Sequence, residues 1–295
     1  MAGRRIELTD ENTQLVDAER AAIYPKAVGS AIYLSIDRRD IKFEVKELAR
    51  HMSAERCRDC DYENLMILGR YLLYKPNVAR ITKLNAASVE GPLTLDTYVD
   101  SDWAGCPDTR RSTDAVNCVL GGTVVLAHPQ TQPGLPATSS GEAETRGMGR
   151  GARDTLFIQQ LATGDFDLDV EVQPRLWTDA AVALASAKRL GAGAKMRHLD
   201  VSHFFTQQLV KDKRIRVGKV PGTANPSNCL TKHLNAALKA ASFTDLGLID
   251  MSEAHLQELV QAADKIELIG AVTERPATPW KPNRPLAANM LKVLM

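Results

Sequence analysis

Three acidic clusters, met in order along the chain, carry the chemistry this sequence could do. The first is Asp100-Ser101-Asp102, followed directly by Trp103-Ala104-Gly105. The second is Glu142-Ala143-Glu144, which follows Ser139-Ser140-Gly141. The third is Asp179, at the end of Leu176-Trp177-Thr178. Asp100 ends a predicted strand and Asp102 lies two residues on, so strand alternation turns both side chains to one face. Glu144 falls in the first turns of a predicted helix. Asp179 sits at the C-terminal end of its strand, where α/β sheets usually place their chemistry. Carboxylates converging at one sheet end repel unless a cation lies between them. Hard oxygen ligands select Mg²⁺ or Mn²⁺ over zinc. Two such ions about 3.5–4 Å apart activate a water and stabilise the leaving oxygen in phosphodiester cleavage. The plainer alternative is three unrelated surface acids. A carboxylate near a helix N-terminus is favoured by the helix dipole, and that alone accounts for Glu142 or Glu144.

The elements that must position these acids read as follows. Leu93–Ser101 is a predicted strand. Ala115–Leu120 and Thr123–His128 flank Gly121-Gly122, a hairpin turn in which glycine accepts positive φ. Ser139 and Glu142 form a predicted capping box, opening a helix to about Ala162. Val172–Thr178 is the next strand, and Ala180–Arg189 a short alanine-rich helix. His198–Val210 is predicted helical and Ile215–Val220 extended. Asn225-Pro226-Ser227 starts a last helix, with proline suited to its first turn. The order β-β-β-α-β-α-α-β-α implies an α/β architecture with a mixed sheet and flanking helices.

Upstream, apolar residues recur at helical spacing: Val28, Ile32 and Leu34, then Phe43, Val45, Leu48 and Met52, then Leu65, Leu68, Leu72 and Leu73. They predict two or three packed helices with no acidic cluster suited to catalysis. Pro76, Gly91 and Pro92 mark a connection. The expected organisation is a small helical segment at 1–91, the α/β domain at 92–250 and an extension at 251–295. Within the extension, Ser252–Ile269 could form an amphipathic helix, whereas four prolines within Glu274–Pro285 preclude regular structure.

The chain has 295 residues, 44% hydrophobic and 25% charged, with a formal net charge of +1. Overall charge therefore argues neither for nor against a nucleic-acid partner, and its distribution must decide. Five scattered cysteines give no disulfide framework and suit a reducing compartment. Cys57-Arg58-Asp59-Cys60 is a single CxxC without a second pair, read as two helix cysteines in preference to a zinc site. No apolar run approaches the roughly 18 residues needed to span a bilayer, and the charged N-terminus is not followed by a secretory core. An intracellular protein without a membrane partner is expected.

The acidic segments resemble the ribonuclease H domain of copia-type retrotransposon polyproteins. Five blocks carry the resemblance in order: Val99-Asp100-Ser101-Asp102-Trp103-Ala104-Gly105; Ser139-Ser140-Gly141-Glu142-Ala143-Glu144-Thr145; Trp177-Thr178-Asp179-Ala180-Ala181-Val182-Ala183; Arg197-His198-Leu199-Asp200-Val201-Ser202-His203-Phe204; and Ser227-Asn228-Cys229-Leu230-Thr231-Lys232. Arg110-Arg111-Ser112-Thr113 also looks like a family segment. Upstream, Val28–Leu34, Arg38–Ile41 and Gly69–Leu72 look like the stretch that follows the reverse-transcriptase palm, extending the resemblance over about residues 22–250. The palm itself is missing from this sequence, so no DNA synthesis is expected.

The resemblance implies a ribonuclease H-like fold and endonucleolytic cleavage of RNA in an RNA–DNA hybrid. Asp100, Glu144 and Asp179 would hold two Mg²⁺ or Mn²⁺ ions. Asn228 stands where the family's fourth ligand is aspartate, so one ion should bind more weakly. Thr145 and Ala180-Ala181 also depart from the family pattern. A catalytically decayed relative, serving as a nucleic-acid-binding or structural assembly subunit that docks other proteins through its extension, is the alternative these departures leave open.

Secondary signals are less specific. Arg110 and Arg111 could meet a phosphate. Lys213, Arg214 and Arg216, extended by Lys195 and Arg197, form either a phosphate-binding edge or a solvated one. His198 and His203 are read as one packed and one exposed residue. Trp103 could stack on a sugar or base, though a tryptophan flanking a strand is more often core.

Overall fold

The computed structural model describes residues 8–53, 55–82, 91–165, 171–191, 204–251, 255 and 257. The chain divides into two compact units. One comprises residues up to Arg80 together with the described part from Leu248 onward, and the other spans Ile81–Gly247.

The first unit is built on α1 (Ala18–Leu34), α2 (Lys42–Ala49) and α3 (Asp59–Tyr74). Asp17 caps α1 by accepting a hydrogen bond from the Arg20 backbone N–H at 2.9 Å. Tyr24, Val28, Ile41, Leu65 and Leu72 close the core between the helices. Ile32 and Leu73, which the helical spacing had assigned to the apolar set, are exposed, because each lies one step off its helix's buried stripe. A charged group is buried among these apolar residues. Arg38 pairs with Asp40 through two hydrogen bonds of 2.9 and 2.8 Å, and Tyr71 donates to the same carboxylate at 2.7 Å. These hydrogen bonds offset part of the cost of burying the charges. Cys57 and Cys60 are buried free thiols. Cys57 precedes α3 and does not lie within it, and burial pushes its thiol up to about 12, so it is inert. β1 (Val78–Arg80) and β7 (Leu248–Asp250), 170 positions apart in sequence numbering between Val78 and Leu248, pair antiparallel as one two-stranded sheet.

The second unit has a five-stranded sheet. Its strands are β2 (Leu93–Ser101), β3 (Thr113–Leu120), β4 (Thr123–Thr131), β5 (Val172–Thr178) and β6 (Arg216–Lys219), in the order β4-β3-β2-β5-β6. The β2-β3-β4 meander is antiparallel, whereas β5 and β6 run parallel to β2. Gly121 and Gly122 form the β3–β4 turn with φ of 56° and 84°, the double positive-φ geometry of a tight hairpin. α4 (Ser140–Gln160) crosses the sheet, joined by α5 (Ala181–Lys188) and α6 (Phe205–Lys211). Leu95, Val99 and Leu176 of the sheet are buried, as are Met148 and Ala152 of α4. Gly151 lets the helix approach: a Cβ there would overlap Val99 and lie 3.0 Å from Leu176 Cδ1. This mixed order with flanking helices is a ribonuclease H-like fold.

Three local expectations differ. The segment Pro226–Leu230 is a 3-10 turn and not an α-helix; Asn225 caps it by accepting from the Ser227 N–H at 3.1 Å. Only half of the capping box forms at α4. Ser139 accepts from the Glu142 N–H, but the Glu142 carboxylate reaches back one residue further, to Thr138 N and Oγ1 at 2.9 and 2.7 Å. An additional short helix, α7 (Ala236–Ala241), lies between the turn and β7. His198, His203 and the tail beyond 257 lie outside the described residues.

Candidate metal centre

Strand register assembles the first two acids. Val99 of β2 is level with Thr178 of the parallel β5, so the next residue of each strand, Asp100 and Asp179, emerges side by side at one sheet end. The third acid comes from α4. Gly147 allows this: a Cβ there would overlap Ser101 Oγ and stand 3.2 Å from Asp114 Oδ1. With the helix seated so closely, Glu144, one turn earlier, reaches the sheet end. Oxygen atoms of Asp100, Glu144 and Asp179 all lie within 4.8 Å of one another.

The electrostatics of this group are unfavourable as it stands. Burial, with Asp100 and Asp179 adding repulsion, pushes the Glu144 carboxyl up to about 9. A backbone hydrogen bond from Ser101 offsets only part of this. Glu144 Oε2 is buried without a hydrogen-bond partner. Asp100 is also raised, first by burial and then by Asp179, and is eased by the Thr231 hydroxyl, which donates to Asp100 Oδ2 at 2.5 Å. An orphaned carboxylate oxygen among two further acids is a donor set suited to a hard divalent cation.

The turn from Asn225 to Thr231 is pinned against β2 by three side chains. Asn225 Nδ2 donates to Val99 O at 2.9 Å and lies 3.4 Å from Asp179 Oδ1. Ser227 Oγ donates to Tyr98 O at 2.8 Å, and Thr231 reaches Asp100. Asn228 lies within this turn, where its amide nitrogen donates to the Gly222 carbonyl. Gly222 itself sits against Asp179, its hypothetical Cβ 3.0 Å from Oδ2.

Two neighbouring acids have other duties. Asp102 turns back to accept from the Thr113 N–H, and a side chain at Gly105 would overlap its carboxylate. The expectation that Asp100 and Asp102 share one face therefore fails, because the strand ends at Ser101 and alternation ends with it. Glu142 is buried, bound by Thr138 and paired with Arg146, and so locks the start of α4. Sequence reasoning missed Asn225, Thr231 and the buried Asp114. Asp114 accepts from Ser101 Oγ at 2.9 Å and is pushed up to about 6 by burial. Thr231 carried a signal, since it lies in the Leu230-Thr231-Lys232 block; Asp114 carried none.

The basic residues lie on separate segments of the chain. Arg110 and Arg111 are exposed in the turn between β2 and β3. Lys213 and Arg214 are exposed before β6, and Arg216 at its start is level with Arg175, three residues back from the site end of β5. Lys195 and Arg197 lie outside the described residues.

Sheet order, the crossing helix and three convergent carboxylates define a ribonuclease H-like domain. No family model matches the chain. It is 28% identical over 214 residues to the retrovirus-related Pol polyprotein from transposon RE1 of Arabidopsis thaliana, covering 72% of this chain and 14% of that protein. The RE2 polyprotein of the same plant is 26% identical over 212 residues, with the same coverage. The transposon TNT 1-94 polyprotein of Nicotiana tabacum is 26% identical over 47% of this chain and 10% of its own length. These relatives are copia-type Pol polyproteins of transposons, and the chain spans 14% of the length of RE1 and RE2. Solved structures similar to it include the N-terminal ribonuclease H domain of a Mycobacterium tuberculosis protein, at 15% identity, 51% coverage of this chain and 96% of that one, with a TM-score of 0.34. A ribonuclease H from Halobacterium salinarum is 13% identical, covering 47% of this chain and 94% of that one, with a TM-score of 0.32.

Proposed function

We propose that the second unit is a metal-dependent ribonuclease that cleaves RNA in RNA–DNA hybrids, with Asp100, Glu144 and Asp179 holding Mg²⁺ or Mn²⁺. The observation that carries this reading is the convergence of three carboxylates from β2, α4 and the end of β5, one with a buried oxygen lacking a partner. Similarity to Pol polyproteins of transposons supports it. When bound, a pair of divalent ions would lower the pKa of an attacking water and stabilise the leaving oxygen.

The chain's own residues prepare the site. Asp100 is oriented by Thr231, and the 225–231 turn is held to the strand by Asn225 and Ser227. Glu144, protonated at neutral pH while the acids stand alone, releases its proton as positive charge enters. Asn228 is the uncharged fourth position, so one ion is held more weakly than an aspartate would hold it. That missing charge also supports a second reading, in which the unit binds hybrids without cutting them.

Cleavage of a labelled RNA–DNA hybrid in Mg²⁺ and in Mn²⁺ separates the two. The nuclease reading expects cleavage that Asp100→Asn abolishes and Asn228→Asp increases by at least about 10-fold, the order seen when metal-site groups are altered. Cleavage by Asn228→Asp alone would establish the second reading. No cleavage by any variant would overturn the nuclease assignment.

A further inference from the structure

The turn joining β2 to β3 is built more rigidly than a connection needs to be. Asp102 N donates to Thr113 O at 3.0 Å, and the Asp102 carboxylate accepts from Thr113 N. Ala104 N donates to the buried Ser112 hydroxyl at 3.0 Å. Cys106 N donates to Arg111 O at 3.1 Å, and Arg110 N to Cys106 O at 2.9 Å. Of the three non-glycine residues with positive φ among the described residues, two lie here: Ala104 and Arg110, both at 54°. Such a conformation is strained for a residue with a Cβ and persists only where its surroundings impose it.

This frame presents Trp103, which is 55% exposed. The expectation that it belongs to the core is therefore wrong. Single exposed apolar residues are ordinary, but this indole is also held in place, since its Nε1–H donates to Ala137 O at 3.0 Å. The loop that supplies Ala137 carries Leu135, which is 81% exposed. Arg110 and Arg111 are exposed on the same turn. A fixed aromatic face with two guanidinium groups matches the two surfaces of a nucleotide, a flat sugar–base unit and a charged phosphate. Trp103 is three residues from Asp100, so their Cα atoms are at most about 11 Å apart. Nucleotides advance by about 3.4 Å along each strand, which places Trp103 within roughly three steps of Asp100.

We propose that Asp102–Arg111 is a nucleotide-binding platform beside the metal centre: Trp103 packs on a sugar or base of the bound strand, and Arg110 and Arg111 contact its phosphates. This rests on the reading of the second unit as acting on nucleic acid. The platform would set which part of the strand lies over the acids, without reading sequence.

The test is equilibrium binding of the full chain to a fluorescein-labelled RNA–DNA hybrid across salt concentrations, with tryptophan emission recorded in parallel. Trp103→Ala should weaken binding about 10-fold with the salt slope unchanged. Trp103→Phe should keep most of the affinity but lose the emission quenching that the hybrid causes in the wild type, a readout that folding defects in Trp103→Ala cannot imitate. Arg110→Gln with Arg111→Gln should reduce the salt slope by about 2. Wild-type affinity in Trp103→Ala, or unchanged quenching in Trp103→Phe, would overturn the platform while leaving the nucleic-acid reading intact. Absence of hybrid binding by the wild type would overturn both.

Discussion

Glu144 shows how a single residue can be costly to the fold and valuable to the site. Its carboxyl is held near 9 by burial and by Asp100 and Asp179, against about 4.3 in an unfolded chain. A raised folded-state pKa contributes stability that is fully present below the unfolded value and is lost as pH rises through the folded one. In metal-free buffer the protein should therefore lose stability between about pH 4.5 and 9. Glu144→Gln removes this dependence and turns the unpartnered oxygen into an amide donor facing two carboxylates. The expected result is a higher melting temperature than wild type at pH 8 in chelator, by about 2–4 °C per kcal/mol regained. Adding Mg²⁺ or Mn²⁺ should raise the wild type more than the variant. A melting curve for Glu144→Gln that matches wild type across that pH range, with and without metal, would remove the physical basis for a cation between these acids.

At the scale of elements, α4 is where packing outweighs propensity. Gly147, Gly149 and Gly151 occupy alternate positions of one helix, and each costs about 1 kcal/mol relative to alanine by propensity alone. A Cβ at Gly149 would meet only Arg153 Nη1, at 3.9 Å. Gly149→Ala should thus stabilise the protein by about 0.5–1 kcal/mol. At Gly151 the same change would press into Val99 and Leu176. Gly151→Ala should destabilise by about 1–3 kcal/mol despite the better propensity, and any lifting of α4 would draw Glu144 from Asp100. Chemical denaturation of the two variants measures the opposite signs. Equal effects would mean that the helix is not seated on the sheet as closely as Gly147 and Gly151 permit.

For the molecule as a whole, the unit boundaries do not follow the chain. β7 follows the α/β unit in sequence but pairs with β1 of the helical unit, with Ala79 opposite Ile249. Lys75 and Asp250 form an ion pair at the same place. Ending the chain at Gly247 should cost the 78–80 amides their protection from hydrogen exchange, while β2 and β5 keep theirs. Unchanged protection at Ala79 and Arg80 would show that the β1–β7 pairing contributes nothing to the first unit.

Much of this was legible before any coordinates. Short-range order depends on local residue types, so the Gly121-Gly122 turn, the Ser139 cap, the strand ending at Ser101 and the strand before Asp179 could be read from spacing. The resemblance of the ordered acidic blocks to a ribonuclease H domain singled out Asp100, Glu144 and Asp179. What spacing does not encode is approach in space. Two acids with similar credentials, Asp102 and Glu142, are diverted to Thr113 and to Thr138 with Arg146, by turn geometry that residue type alone does not specify. The parallel register of β2 and β5, the seating of α4 on Gly147 and Gly151, and the hold of Asn225, Ser227 and Thr231 on β2 join segments separated by tens of residues. The exposure of Trp103 and the pairing of β7 with β1 have the same origin: which surfaces remain uncovered, and which edges meet, follow from how the core closes.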